Sequence, residues 1–352
     1  MGPLRSAVII RRMSPADQRT DSRDEAAFAA SLYRHRRELQ VHCYRMLGSL
    51  EDSEDVVQET LLRAWRGRSS FSDRGHGSLG AWLYRIATNA CLDVLRGKPR
   101  RVLPPQIAAA SDPDAPIPPP ADLPWLQPYP DRLLEAIAPA EDEPGAVVVA
   151  RETIELAFVA AIQLLPPRQR AVVILRDVLG WSAKDTASLL EASVAAVNSA
   201  LQRARGTLRD HLGERRTDWA PAFQPSEDER ELLRRYVEAH ERADADALAE
   251  LLREDVRLTM PPHPTWYDGR EAVMVATRQG FDPSFGELRT VVAGANMQPA
   301  AAHYLRTPGD SRYRALALDL LRLDGGHVAE ITSFVSPELF PAFGLPPQLS
   351  ER

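Results

Sequence analysis

Apolar residues recur every three to four positions along residues 25–97, broken only near Gly48 and around residues 75–80, and this spacing predicts an all-helical block. Its longest run, 81–96, is one amphipathic helix with Arg85, Asn89 and Arg96 on the polar side. Past residue 98 the period disappears. Prolines crowd in at 99, 104, 105, 113, 116 and 118–120, so residues 98–150 are expected to form an extended linker without a packed core. Trp125 and Tyr129 within it are aromatics that a pure spacer does not need. Helical spacing returns over 151–212. After a short break at 213–226, holding Pro221 and Pro225, residues 227–345 mix two periods. Helices are predicted over 227–240 and 244–252, a strand over 256–260, and a helix from Asp268-Gly269 to 279. Strands follow over 287–293, 300–306, 313–323 and 327–335, with Pro308-Gly309-Asp310 and Asp324-Gly325-Gly326 as hairpin turns. Helices followed by such strands predict an α+β cone with a curved antiparallel sheet. Residues 1–24 carry no pattern and are expected to be disordered.

Residues 166–212 read as two short helices around a tight turn. Ser182 stands at an N-cap position with Asp185 three residues later, and the helix that follows, 183–190, buries Ala187 and Leu190. Residues 191–193 make the turn, and Ser193 caps a second helix whose narrow apolar face is Val197, Ala200 and Leu201. Ala187 and Val197 supply the small and β-branched residues of a helix-turn-helix crossing. The outward set is Ser193, Ala195, Asn198, Ser199 and Gln202, then Arg203 and Arg205: Asn and Gln suit bidentate contact with adenine, and arginines hold phosphates. Many such turns carry glycine where Glu191 stands.

Length and charge restrict the reading. At 352 residues the chain exceeds one compact core, so two or three domains are expected. A formal net charge of −6 excludes a strongly basic free-standing DNA binder; DNA contact must be local or helped by a partner that neutralises phosphate. Cys43 and Cys91, each in an apolar helical pattern, form no metal-ligand spacing, so neither a metal site nor a cofactor is expected, and the setting is expected to be reducing and cytoplasmic. The apolar run at residues 7–10 is too short for a signal or membrane segment.

In the helical block, Asp55, Gln58 and Glu59 are spaced i, i+3, i+4 and share one acidic helix face suited to a basic partner. A polar loop at 69–78, with Phe71 and His76, precedes the helix bearing Arg85 and Asn89, a combination able to stack and hold unpaired bases. Together, Asp-Val-Val-Gln-Glu-Thr at 55–60, Ala-Trp-Leu-Tyr-Arg-Ile-Ala-Thr-Asn-Ala at 81–90, Leu-Pro-Pro-Arg-Gln-Arg at 165–170 and a terminal helix-turn-helix resemble the extracytoplasmic-function sigma factors of bacterial RNA polymerase. The resemblance makes 25–97 region 2 and 151–212 region 4. It implies that Asp55, Gln58 and Glu59 contact core polymerase, that Phe71, His76, Arg85 and Asn89 serve the −10 element, and that the helix from Ser193 to Arg205 reads the −35 element. The implied partners are core RNA polymerase and promoter DNA, with no membrane; the need for an anti-sigma factor stays open.

The C-terminal third is similar to the SnoaL-like domains fused to some of these sigma factors, on element order and on Trp-Tyr-Asp-Gly-Arg-Glu-Ala-Val at 266–273. The resemblance implies a domain that modulates activity, by packing on the sigma regions or linker or by binding a small molecule. A cone of this kind encloses a pocket, with His263, Trp266, Asp268, His303 and Asp319 as its candidate residues. Asp319 lies in an apolar strand, where an interior carboxylate is expected to have a raised pKa. The alternative is a DNA-binding protein whose cone is an active isomerase- or cyclase-type enzyme, but no acid and base stand at fixed spacing and a fold does not transfer an activity.

Overall fold

The protein is described here from a computed structural model, which covers residues 15–71, 78–135, 154–212 and 226–350. Four helices build the first unit: α1 (Pro15–Arg34), α2 (Arg36–Leu47), α3 (Leu50–Arg66) and α4 (Leu79–Gly97). The disorder expected up to residue 24 does not hold from residue 15 on, since α1 begins at Pro15. Gly48 ends α2 at φ +66°, and a Cβ there would lie 2.8 Å from Leu126, so the position needs both the left-handed backbone and the missing side chain. Ser49 and Ser78 cap α3 and α4 by accepting from the amides of Asp52 and Ala81.

The second unit comprises α5 (Leu156–Gln163), α6 (Pro167–Val173), a π-type turn (Ile174–Val178), α7 (Ala183–Leu189) and α8 (Val194–Leu212). It does not stand apart from the first. Leu39, Met46, Leu83 and Cys91 share one apolar core with Ile162, Val172, Leu175 and Val197. The third unit packs α9 (Glu227–Glu241), α10 (Ala245–Leu251) and α11 (Arg270–Gly280) on a sheet of β1 (Leu252–Thr259), β2 (Trp266–Asp268), β3 (Glu287–Ala295), β4 (Gln298–Arg306), β5 (Arg312–Asp324), β6 (His327–Phe334) and β7 (Gln348–Ser350).

The sheet is mixed, not antiparallel throughout. Its order is β2-β1-β6-β5-β4-β3, with β7 paired to β5, and β1 runs parallel to β6 with Leu258 opposite Ile331. Alternation along a strand marks its faces and says nothing of its direction; β1 and β6 meet across the whole intervening chain, with no hairpin to enforce an antiparallel pair. β2, not predicted as a strand from the sequence, pairs with β1. Period-two alternation sends Ala301, His303, Asp319 and Leu321 to the helical side, and Ala300, Tyr304, Leu318 and Leu320 to the other.

That other face is covered by the chain between the sigma-like units, which corrects the expectation of a coreless linker. Val102, Leu103, Leu126, Tyr129, Leu133 and Leu134 are buried among the prolines, and all but Val102 pack with Val41, Tyr44, Ile154, Tyr304 and Phe340. The prolines remove periodicity but not apolar area, and a segment lacking regular structure can still be buried where its polar backbone finds partners. Here it does: Val102 and Leu126 exchange backbone hydrogen bonds with neighbouring linker residues, and Ser111, Ala121 and Asp131 donate to Trp266, Pro262 and Gly294.

Candidate polymerase and nucleic-acid interfaces

On α3, burial of Val56, Val57, Thr60 and Ala64 turns the other side of the helix outward. Asp55 and Gln58 are exposed and, among the described residues, make no ion pair or hydrogen bond; Glu59 is half-buried and receives Arg63 at 2.7 Å. The three predicted residues therefore lie on one accessible acidic strip. Asp52, one turn earlier, is spent within the chain. Burial works to raise its carboxyl, but hydrogen bonds from Lys98 (2.8 Å) and Arg101 (2.5 Å) outweigh it and hold the group below the usual carboxylate range.

The helix-turn-helix forms as its sequence predicts. Ser182 Oγ accepts from the Asp185 amide at 3.0 Å, and Ser193 Oγ from the Ala196 amide at 3.1 Å. Ala187 and Val197 are buried at the crossing. Glu191 adopts φ +49°, the left-handed conformation that makes glycine common at this place. Ser193, Ala195, Asn198, Ser199, Gln202 and Arg203 are exposed along one side of α8. Arg205 departs from its predicted role: its guanidinium grips Asp177 with two hydrogen bonds, at 2.9 and 2.6 Å, and braces α8 against the preceding turn.

Of the residues predicted for the −10 element, Asn89 is exposed on α4. Phe71 packs on Trp82 (ring centroids 5.0 Å apart) and Phe28 (6.4 Å). His76 lies outside the described residues. Arg85 reaches Ser188 on α7 at 3.5 Å, and its neighbour Tyr84 meets Trp181 edge-on at 6.1 Å. The α4 surface thus faces the helix-turn-helix unit. Arg170, from the Leu-Pro-Pro-Arg-Gln-Arg segment, is fully buried in this junction. It donates to the carbonyls of Met46, Gln163 and Leu165 and to the Gln163 side chain. Burial lowers its pKa to about 10, so it stays charged at neutral pH.

A junction that sequence reasoning missed centres on Asn296. Asn296 and Met297 (φ +55° and +58°) form the two-residue turn between β3 and β4, where Asn-Gly is the usual pair. The Asn296 side chain is fully buried: Oδ1 accepts from the Tyr129 amide at 2.7 Å, and Nδ2 donates to Tyr44 Oη at 2.9 Å and to the Ile154 carbonyl at 2.6 Å. Its own amide donates to the Tyr129 carbonyl, and Tyr44 Oη donates to the Gln127 carbonyl at 2.7 Å. One asparagine so joins α2, the linker, the start of α5 and the sheet. Without a glycine beside it, the turn gives no strong sequence signal.

The predicted pocket set divides. His263 and Trp266 lie toward the linker, with His263 Nδ1 bonding the Pro118 carbonyl at 2.7 Å and Trp266 Nε1 donating to the Ala108 carbonyl at 2.9 Å, while Asp268 is exposed and pairs with Arg257 of β1 at 3.6 Å. His303 and Asp319 do meet, Nε2 to Oδ2 at 3.0 Å, under α9; Tyr236 Oη donates to the same Oδ2 at 2.7 Å, and Thr290 Oγ1 bonds His303 Nδ1 at 3.0 Å. His240, not singled out in the sequence, stacks beside His303 at 4.6 Å and bonds the Tyr236 carbonyl through Nδ1. The expected rise in the Asp319 pKa is reversed: burial pushes it up, but the imidazoles of His303 and His240 and the nearby Ser333 hydroxyl outweigh that and hold the carboxyl low. Burial, then His303, lowers His240 to about 4 and keeps it neutral.

Comparison with known proteins accords with this arrangement. The family model of Sigma-70 region 2 matches residues 32–101, that of Sigma-70 region 4 matches 155–208, and that of the SnoaL-like domain matches 233–331. The chain is 42% identical over 342 residues to the ECF RNA polymerase sigma factor SigG of Mycobacterium tuberculosis, covering 95% of this chain and 87% of that protein. It is 33% identical over 190 residues to the sigma factor SigM of the same species, covering 54% of this chain and 79% of that one. In fold it resembles the crystal structure of Mycobacterium tuberculosis SigJ, with a TM-score of 0.56 at 22% identity, over 91% of this chain and 99% of that one. No described helix is long and apolar enough to cross a membrane. Two sigma regions in order, a SnoaL-like cone behind them and a relative matched along nearly its whole length place this chain in the extracytoplasmic-function family of RNA polymerase sigma factors.

Proposed function

We propose that the chain binds core RNA polymerase through the Asp55–Gln58–Glu59 strip, reads the −35 element with α8 and engages the −10 element around α4, and that the conformation described is its closed state. The observation that carries the closed-state reading is the contact of α4 with α7, Arg85 to Ser188 at 3.5 Å. The two promoter elements lie about 25 base pairs apart, roughly 85 Å of B-form axis at about 3.4 Å per step. A compact chain of this length has a radius of gyration of only about 20 Å. Both elements cannot be read while α4 rests on the helix-turn-helix unit, so productive binding requires the two sigma regions to part. The cone opposes that separation, because Asn296 holds α2, the linker and the start of α5 together. The acidic strip stays accessible in this state, which allows docking on polymerase before opening.

We assign the cone regulation and no turnover. Asp319 is held ionised, and its Oδ2 is bonded to both Tyr236 and His303, which favours a packing role over proton abstraction. The test is binding of the purified chain to core polymerase, with Asp55→Ala/Gln58→Ala/Glu59→Ala as the control. The wild type is expected to bind tightly and the triple variant at least tenfold more weakly. Equal binding by the two removes the strip from the interface; no binding by either overturns the reading that the closed chain docks on polymerase.

A further inference from the structure

We propose that His240, His303 and Asp319 form a binding site for one divalent first-row transition ion, zinc foremost, inside the C-terminal cone. The three residues come from α9, β4 and β5, and one ligand atom of each lies within 4.8 Å of the others. All three are buried. Two imidazoles and a carboxylate are a donor set typical of zinc and of ferrous iron, and unlike the all-oxygen sets of calcium and magnesium. Ligand atoms around a four-coordinate zinc at about 2.0–2.2 Å stand roughly 3.3 Å apart. His303 Nε2 and Asp319 Oδ2 are already 3.0 Å apart, and a ligand atom of His240 lies within 4.8 Å of theirs.

The surroundings are those of a metal site as well. Metal-bound histidines hold their second nitrogen on a carbonyl, carboxylate or hydroxyl, which fixes the ring. His240 Nδ1 bonds the Tyr236 carbonyl at 2.9 Å and leaves Nε2 free; His303 Nδ1 bonds the Thr290 hydroxyl at 3.0 Å and leaves Nε2 on the Asp319 side. A hydroxyl donates or accepts equally well. When His303 Nε2 binds the ion, its proton is carried instead on Nδ1, and Thr290 Oγ1 turns to accept it. Asp319 Oδ2 is steadied by Tyr236 Oη, while Oδ1 is buried with only the nearby Ser333 hydroxyl beside it. Phe281, edge-on to His240 at 5.4 Å, also lines an open cleft of about 540 Å³ with Arg242, Asp244, Asp246 and Arg278. A bound ion would cross-link α9 to β4 and β5.

The full-length chain, stripped of metal, is titrated with Zn²⁺ by equilibrium dialysis and with Co²⁺ by visible absorption. One Zn²⁺ per chain is expected, with a raised Tm, and Co²⁺ is expected to give d–d bands without a sulfur charge-transfer band, which separates this site from Cys43 and Cys91. His240→Gln and His303→Gln should each lose the stoichiometric ion. Thr290→Val, which removes only the outer hydrogen bond of a positioning residue, should weaken binding about 10- to 100-fold. Substoichiometric uptake, a thiolate band, or full affinity in a folded His240→Gln chain overturns the proposal. Should His303→Gln fail to fold, His240→Gln, Thr290→Val and the cobalt spectrum still decide it.

Discussion

At the scale of single residues, the first helical unit carries a titratable group whose burial ties stability to pH. His42 is fully buried on α2, with Nε2 on Thr88 Oγ1 at 2.9 Å, Nδ1 without a partner, and Tyr84 edge-on at 5.0 Å. Burial, then the nearby Arg45 charge, lowers its pKa from 6.5 to about 3. Below pH 6.5 the unfolded chain takes up a proton here that the folded chain refuses until about pH 3, so this contribution is complete above pH 6.5 and is lost on acidification. The loss approaches about 1.4 kcal/mol per pH unit for this one group. Urea unfolding at pH 7 and pH 5 should show a drop that His42→Gln reduces; the same pH slope in the variant would remove His42 from the account. The sequence marked neither its burial nor the missing partner on Nδ1; both became visible only once Thr88 and Tyr84 had been placed around it.

Individual elements were read well where the signal is local. The helix-turn-helix is set by two serine caps and by Ala187 against Val197, all within a short stretch of chain. Glu191 is the one conflict there between local preference and fold. A non-glycine residue in the left-handed region costs about 1–2 kcal/mol, partly offset because glycine gains entropy in the unfolded chain. Glu191→Gly should therefore raise stability by about 0.5–1 kcal/mol without altering the exposed face of α8, as a calorimetric Tm and a −35 binding assay would both register. A lower Tm would show that the Glu191 side chain makes a favourable contact. The β1–β6 pairing marks the opposite limit. Each strand was legible from its alternation, but their parallel relation depends on where α9 and α10 deliver the chain.

Over the whole molecule, the decisive feature is that the linker is structural. Gln127 accepts from Ser49 Oγ and from the Leu50 amide, both at 2.9 Å, while Tyr129 and Asp131 are bound by the β3–β4 turn. Region 2, linker, region 4 and cone are fastened through a few buried polar groups, and removing one partner of such a network costs more than an exposed hydrogen bond contributes. Asn296→Ala leaves the Tyr129 amide and the Ile154 carbonyl without their side-chain partner. It is expected to weaken the closed state by about 2–4 kcal/mol, seen as a larger radius of gyration in X-ray scattering and higher promoter-directed transcription. An unchanged radius together with unchanged transcription would show that the cone does not restrain the sigma regions.

The sequence by itself determined the helical period, the caps, the helix-turn-helix, the acidic strip and the α+β character of the last third, because each is written within one or two turns of chain. The tertiary structure alone decided which polar residues are paired. It tied Arg205 to Asp177, turned Phe71 inward, drew His263 and Trp266 to the linker, and assembled Tyr236, His240, His303 and Asp319 from three separate elements. Long-range partners leave no periodic trace. Their identity depends on how whole elements pack, and in this chain the proline-rich segment governs much of that packing through its buried side chains and bonded backbone, not through any regular structure of its own.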